Sequence, residues 1–267
     1  MTSTDRQHAE STPEATLSTV IELRQYTLHP GKRDVLIDLF DREFIESQEA
    51  LGMKVIGQFR DVDDPDRFVW LRGFRDMATR AEGLKAFYGG PVWKDHREEA
   101  NATMIDSDNV LLLRPAQPGS GFSQGVDARP PRGTNGPGSG LVVATVYSLD
   151  APAEKDFVDY FSREVRPALI DAGATVLALL VTDETPNNFP ALPVRENENV
   201  FVWFAGFADA RSELRWSADH TGLELSSADA PGIRGRLQRL RLTPTARSLL
   251  TGAAFGCPAV SPLDHGT

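Results

Sequence analysis

The chain has 267 residues, 40% of them hydrophobic and 25% charged, which is ordinary for a globular protein and long enough for two domains of about 100 residues. Its net charge of −10 argues against nucleic-acid phosphate or an anionic membrane as a main partner, and no apolar run approaches the length of a membrane span. The single cysteine, Cys257, excludes an intrachain disulfide and a multi-cysteine metal site. The polar N-terminus has the pattern of neither a signal nor a transit peptide, so a cytoplasmic location is expected.

Residues 1–19 read as a disordered tail. Alternation from Ile21 to Leu28 predicts a half-buried strand, broken at His29-Pro30-Gly31. A helix follows to about Leu51, with Val35, Leu36, Leu39, Phe40 and Phe44 on one stripe and Gly52 placed to end it. Lys54 to Arg60 and Phe68 to Phe74 form a hairpin about the charged turn Asp61–Asp66. Asp76 to about Met104 reads as helix, interrupted at Tyr88-Gly89-Gly90 with Pro91 opening a new segment. Asn109 to Pro115 is a fourth strand. The order β-α-β-β-α-β is that of a ferredoxin-like unit spanning 20–115.

The chain then repeats itself. Phe68-Val69-Trp70-Leu71-Arg72-Gly73-Phe74 recurs as Phe201-Val202-Trp203-Phe204-Ala205-Gly206-Phe207, 133 positions later. Three earlier anchors recur 121 positions later: Tyr26 as Tyr147, Phe40-Asp41-Arg42-Glu43 as Phe161-Ser162-Arg163-Glu164, and Gly52 as Gly173. The 12 extra residues fall within Thr182–Asn199, so Asn187 to Asn199 should be a long excursion over a barrel mouth or an outer edge. A second ferredoxin-like unit therefore spans 141–248, before a tail at 249–267. Residues 116–140, with seven glycines and four prolines, read as a linker. One such sheet with helices on a single face leaves its other face bare. The fold class is α+β, two tandem ferredoxin-like units whose sheets pack face to face into an α/β barrel around a lumen.

Glu22-Leu23-Arg24-Gln25-Tyr26-Thr27-Leu28-His29-Pro30-Gly31-Lys32 resembles the opening of a NIPSNAP-family domain, as do Phe68–Phe74 and the stretch Tyr88 to Pro115 with Trp93-Lys94, Arg97 and Leu111-Leu112-Leu113-Arg114-Pro115. The ending Leu240–Ser248 is similar to the close of bacterial tandem members. The resemblance implies a dimeric α+β barrel fold, here an internal pseudo-dimer in one chain or part of a homo-oligomer. It implies little about activity; superfamily relatives include haem-degrading enzymes and cofactor-independent monooxygenases.

Gly121-Phe122-Ser123-Gln124-Gly125 matches Gly-x-Ser-x-Gly, but lies in the linker without the strand and helix a nucleophile elbow needs. His29, His96 and His220 lack metal-ligand spacing, so no metal is expected. No cofactor is expected either, with haem on one of these histidines as the alternative. On the first strand Glu22, Arg24 and Tyr26 share one face, joined by Trp70 and Arg72 from the third. Taking Ile21 and Leu23 toward the helices sends this set into the lumen, facing Tyr147. At the counterpart positions the second unit has Val143, Thr145 and Ala205. A small, mostly apolar ligand held in the lumen, its polar group steadied by Arg24 or Arg72, is the expected function. A cofactor-independent monooxygenase or isomerase-type enzyme, a non-catalytic binding or protein-interaction module and a haem protein are the readings left open, with catalytic residues unassigned.

Overall fold

The computed structural model describes residues 18–123, 129–152, 155–171, 174–219 and 232–251. In the first unit, β1 (Val20–Leu28) leads into α1 (Arg33–Leu39), a π-helical turn (Phe40–Phe44) and α2 (Ile45–Glu49). The hairpin β2 (Lys54–Asp61) and β3 (Arg67–Phe74) follows, then α3 (Met77–Gly89), α4 (Pro91–Asn101), β4 (Met104–Asp106) and β5 (Val110–Pro115). The second unit has β6 (Leu141–Leu149), α5 (Lys155–Tyr160), a π-helical turn (Phe161–Val165), α6 (Arg166–Asp171), β7 (Thr175–Thr182), β8 (Val200–Phe207), α7 (Ala210–Asp219) and β9 (Ile233–Pro244). Among the described residues no helix is long and apolar enough to cross a membrane.

Local chemistry explains the boundaries. Gly52 ends the first helical run at φ +79°, a conformation that costs other residues a Cβ clash. Asp76 caps α3: its carboxylate accepts from the Thr79 N–H at 2.7 Å, while the Thr79 hydroxyl accepts from the Asp76 N–H at 3.1 Å. Pro91 opens α4, where its missing N–H costs nothing. The expected apolar stripe of α1 shifts by one position, because Ile37 is buried and Val35 is 42% exposed. Short strand β4, read in the sequence as helix end and turn, pairs with the end of β1.

The duplication holds at the level of hydrogen-bond register. Val20 pairs with Phe74 and Leu141 with Phe207, so both sequence offsets appear in one ladder. The π turns at Phe40 and Phe161 and the bulges at Val55/Gly57 and Val176/Ala178 repeat at the same spacing of 121.

The strands run β3-β2-β9-β6-β8-β7-β5-β1-β4, and β1 also pairs with β3. Eight of them close into an antiparallel barrel, with β4 lying outside the ring. The two sheets do face one another, but they also join edge to edge through β5–β7 and β2–β9. The expected α/β barrel of two facing sheets is thus present, and its closure runs through these two edge pairings. Unpaired strand edges are costly, and pairing the second and fourth strands of opposite units removes them.

The barrel interior is filled. Ile21, Leu23, Phe59, Val69, Leu71, Leu111 and Leu113 meet Val142, Ala144, Val202, Phe204, Leu240 and Leu242 from the opposite wall. Near one end Gln25 on β1 and Gln238 on β9, strands that are not neighbours, exchange amide hydrogen bonds of 3.3 and 2.9 Å across the barrel. Two outer layers flank this core, one between sheet and helices in each unit.

The glycine- and proline-rich connection has no helix of its own among the described residues, yet it packs. Phe122 stands edge-on to Phe204 at 5.0 Å in the barrel core. Arg129 donates to Glu49 at 2.7 Å and to the Val55 carbonyl at 2.6 Å. Arg247, beyond β9, reaches Glu46 and the Pro130 carbonyl, holding the end of the second unit on the helices of the first. The tail reading of residues 249–267 is tested only at its start, where Leu250 packs into the barrel core, since residues 252–267 lie outside the described set.

Truncating one member of the amide pair leaves its part-buried partner without that hydrogen bond. Gln25→Leu should therefore lower stability by about 1–3 kcal/mol, and Gln25→Leu with Gln238→Leu should recover most of the loss. Urea unfolding of the three proteins checks this.

Candidate functional site

The sequence expectation about facing is overturned. Glu22, Arg24, Tyr26, Trp70 and Arg72 do share one face, but it is the helix-covered face of the first unit, and Ile21 and Leu23 fill the barrel. The physical reason is that β1 is buried on both sides, so alternation alone does not say which side is interior. The closed barrel takes the uncharged set, because nothing inside it offers charges a partner. Helices do offer partners. Tyr147 occupies the equivalent outer layer of the second unit, so Tyr26 and Tyr147 lie on opposite outsides of the barrel.

Glu22 is the centre of a fully buried ion cluster. Its Oε2 accepts from Arg24 Nη1 at 2.9 Å and from Arg72 Nε and Nη2 at 3.0 and 2.6 Å. Its Oε1 accepts from Arg80 Nε on α3 at 2.8 Å. Cross-strand register brings Glu22 opposite Arg72, and the same position in the second unit is Val143 opposite Ala205. Arg72 Nη1 donates onward to Gln48 on α2 at 2.9 Å, and Arg24 Nε donates to the Tyr26 hydroxyl at 2.9 Å. Arg24 and Arg72 also lie 5.5 and 5.0 Å from the Trp70 ring.

Three guanidiniums surround one carboxylate, and none of the four side chains is exposed. Among the described residues no second carboxylate pairs with Arg24, Arg72 or Arg80, so the cluster carries a local excess of two positive charges. Nη2 of Arg24 and Nη2 of Arg80 are buried without a hydrogen-bond partner. Burial would raise the Glu22 pKa, but Arg72, Arg24 and Arg80 overcome that and hold it well below the usual carboxylate range. Burial lowers the Arg80 pKa, against the pull of Glu22. Burial likewise raises the Tyr26 pKa, opposed by Arg24.

An aromatic pocket lies beside the cluster, lined by Tyr26, Phe40, Phe44, Gln48, Trp70, Phe87, Tyr88 and Trp93. The rings brace one another edge to face, Phe40 on Trp70 at 4.8 Å and Tyr88 on Trp93 at 4.9 Å. The cavity is about 30 Å³, room for a water rather than for a drug-sized ligand. The same layer of the second unit has Val143, Phe161, Phe201, Trp203 and Ala205 packed together.

Part of the site comes from the other unit. The connection between β7 and β8, the segment that carries the extra residues, crosses onto the first unit. Arg80 Nη1 donates to Asn187 Oδ1 at 3.1 Å and to Asn188 Oδ1 at 2.8 Å, and Phe189 stacks on Tyr88 with centroids 6.0 Å apart. It is an irregular excursion, as the sequence leads one to expect, and it lies over the helical layer.

Of the histidines, His29 is exposed in the β1–α1 turn. His96 on α4 sits near Glu43 and Glu99 at 3.8 and 3.7 Å, outside the pocket, and His220 lies outside the described residues. Among the described residues no group of histidine, cysteine and acid side chains is arranged to hold a metal. Ser123 of the Gly-x-Ser-x-Gly match is described, but residues 124–128 beyond it are not.

Arg80 escaped the sequence reading. Its signal is helical period: Arg80, Gly83, Leu84 and Phe87 form the buried stripe of α3, which places an arginine in a core position.

These features define an α+β barrel closed within a single chain, with a fully buried ion cluster in the outer layer of the first unit and a partly exposed one, Glu213 with Arg239 and Arg241, in that of the second. Residues 21–118 match the NIPSNAP family model, so the first unit is similar to a NIPSNAP domain, in keeping with a tandem layout. No curated protein matches the chain. Among solved structures, a candidate monooxygenase from Fusobacterium nucleatum is similar at 13% identity and TM-score 0.53, covering 85% of this chain and 92% of its own. A second candidate monooxygenase, from Lactobacillus acidophilus, is similar at 11% identity and TM-score 0.52, with coverage of 87% and 97%. An anthrone oxidase-like protein gives 13% identity, TM-score 0.52 and coverage of 88% and 96%. At such identities the likeness establishes a common fold across both units.

Removing the Glu22 charge leaves three buried cations with no counter-ion. Glu22→Gln should cost about 3–5 kcal/mol in chemical denaturation. Because the folded pKa is depressed, that contribution is present above the unfolded value of about 4.5 and is lost as pH falls below it. The stability gap between wild type and Glu22→Gln should hold steady from pH 8 to 5 and shrink in stronger acid.

Proposed function

We propose that the first unit binds a small, mostly apolar ligand between its sheet and its helices, with the Glu22 cluster orienting the ligand's polar group. The observation that carries this reading is the asymmetry of the two layers. Both copies keep the same register, π turn and bulge, but their buried charges differ: the second unit pairs Glu213 with the partly exposed Arg239 and Arg241, whereas the first buries three arginines completely around the one carboxylate of Glu22, beside a gap among aromatic rings. Binding requires the rings and the crossing segment to shift, because the closed gap is smaller than any ring-bearing ligand.

Two uses of such a pocket remain in play. Cofactor-independent oxygenation is supported by the fold shared with proteins described as candidate monooxygenases and anthrone oxidase-like. Binding without turnover is supported by the state of Glu22, whose oxygens accept four N–H groups and whose basicity is suppressed. A carboxylate in that state orients its neighbours and is a poor general base.

Titration of intrinsic fluorescence with small aromatic acids and phenols tests the reading, since Trp70 and Trp93 border the pocket. Ala100→Val, which adds methyl groups into the gap, should abolish the response. Arg24→Gln should weaken binding by roughly 10- to 100-fold, the scale of about 1.5–3 kcal/mol for a charge-assisted hydrogen bond, and should also lower stability because Arg24 is an ion-pair member. Oxygen uptake with a bound phenol separates enzyme from binder. A response that survives Ala100→Val unchanged would place the ligand elsewhere.

A further inference from the structure

We propose that Arg80 is the anion-receiving residue of this site, and that Asn187 and Asn188 of the second unit are its displaceable latch. The ligand class is a small aromatic carboxylate. The inference rests on the reading that the pocket takes an apolar body, and it adds what the polar end is and how it enters.

The argument starts from an incomplete charge balance. A buried excess of two positive charges is costly unless an anion completes it, and two guanidinium nitrogens, Arg24 Nη2 and Arg80 Nη2, stand buried and unused. Of the three arginines, Arg80 is the one whose neutral partners lie on the crossing segment, not on a buried strand or helix. Arg24 and Arg72 are strand residues on Glu22, Tyr26 and Gln48, whereas one fork of Arg80 ends on two neutral amide oxygens. A carboxylate makes a stronger, bidentate partner for a guanidinium than neutral amides do.

The latch can let go without stranding a polar group. Asn187 Oδ1 also accepts from the Phe189 N–H at 3.1 Å, and its amide donates to the Leu192 carbonyl at 3.0 Å, so it stays satisfied. Asn188 is exposed, so its oxygen would return to water. The base of the segment, by contrast, is tied to the backbone of β5, with Asp183 N–H on the Leu112 carbonyl at 2.9 Å and Arg195 N–H on the Val110 carbonyl at 2.8 Å. A fixed base with a tip held by Arg80, the Met77 carbonyl and the Tyr88 ring is the geometry of a lid.

A cleft of about 400 Å³ lies under this segment, bounded by Leu112 and Asn187, and Leu112 pairs with Glu22 across the β1–β5 ladder. The cleft also exposes Asp183, Glu184, Glu196 and Glu198 against one cation, Arg195. That acidic rim penalises a dianion on approach, which favours a monoanionic carboxylate over a phosphate ester.

The test uses the full chain, intrinsic fluorescence and stopped flow, with benzoate, benzamide and phenyl phosphate as probes. Benzoate should bind in preference to the other two. Asn187→Ala with Asn188→Ala should bind benzoate at least tenfold tighter and faster, because a competitor for Arg80 is gone. Arg80→Lys, which keeps the charge and loses the fork, should bind at least tenfold weaker. Unchanged or weaker benzoate binding in the double variant overturns the latch. Equal binding of benzamide, or tighter binding of phenyl phosphate, overturns the carboxylate assignment while leaving the pocket reading intact. Failure of every probe to bind would overturn the pocket reading with it.

Discussion

Everything in this molecule depends on the two seams where β5 meets β7 and β2 meets β9. They turn two four-stranded sheets with open edges into one closed ring. Closure removes water from the interior, and an interior without water or helices has no partner for a charge. The charged residues Glu22, Arg24 and Arg72 of β1 and β3 are thereby confined to the outside of the barrel, under the helices. The site is where it is because the lumen cannot hold it.

Under those helices, the Glu22 cluster shows how a buried charge is tolerated. The carboxylate is stabilised by four N–H donors from three directions, two strands and a helix. The arrangement is rigid at Glu22 and unfinished at its periphery, where guanidinium nitrogens remain without partners. Rigidity on one side and incompleteness on the other is the combination expected of a preorganised receptor. A cluster serving only to fasten helix to sheet would be expected to balance its charge.

Much of the fold was legible because the chain states it twice. Tyr26 and Tyr147, Val69 and Val202 carry offsets that the ladders reproduce residue for residue. The period-2 grouping of Glu22, Arg24, Tyr26, Trp70 and Arg72 was legible too. Its direction was not, since Ile21 and Leu23 would suit either side of a strand buried on both. Arg80 was hidden by its setting among Thr79, Ala81 and Glu82, ordinary company for an exposed helix. The partnership with Asn187 and Asn188 joins residues more than 100 positions apart and follows only from closure. The crossing segment itself was found as an insertion, with no pattern in it to say which unit it would cover.

That crossing segment bears on how the barrel would count its guests. A barrel assembled from two identical chains presents two equivalent cavities, and each can sense the filling of the other. Here one half supplies the charged floor and the other half the roof, and among the described residues the equivalent layer of the second unit packs Val143, Phe161 and Ala205 together. On the proposed reading such a fused chain would take one ligand per barrel. Homotropic cooperativity would then have no equivalent site within the chain through which to arise, and the saturation curve would be a simple hyperbola.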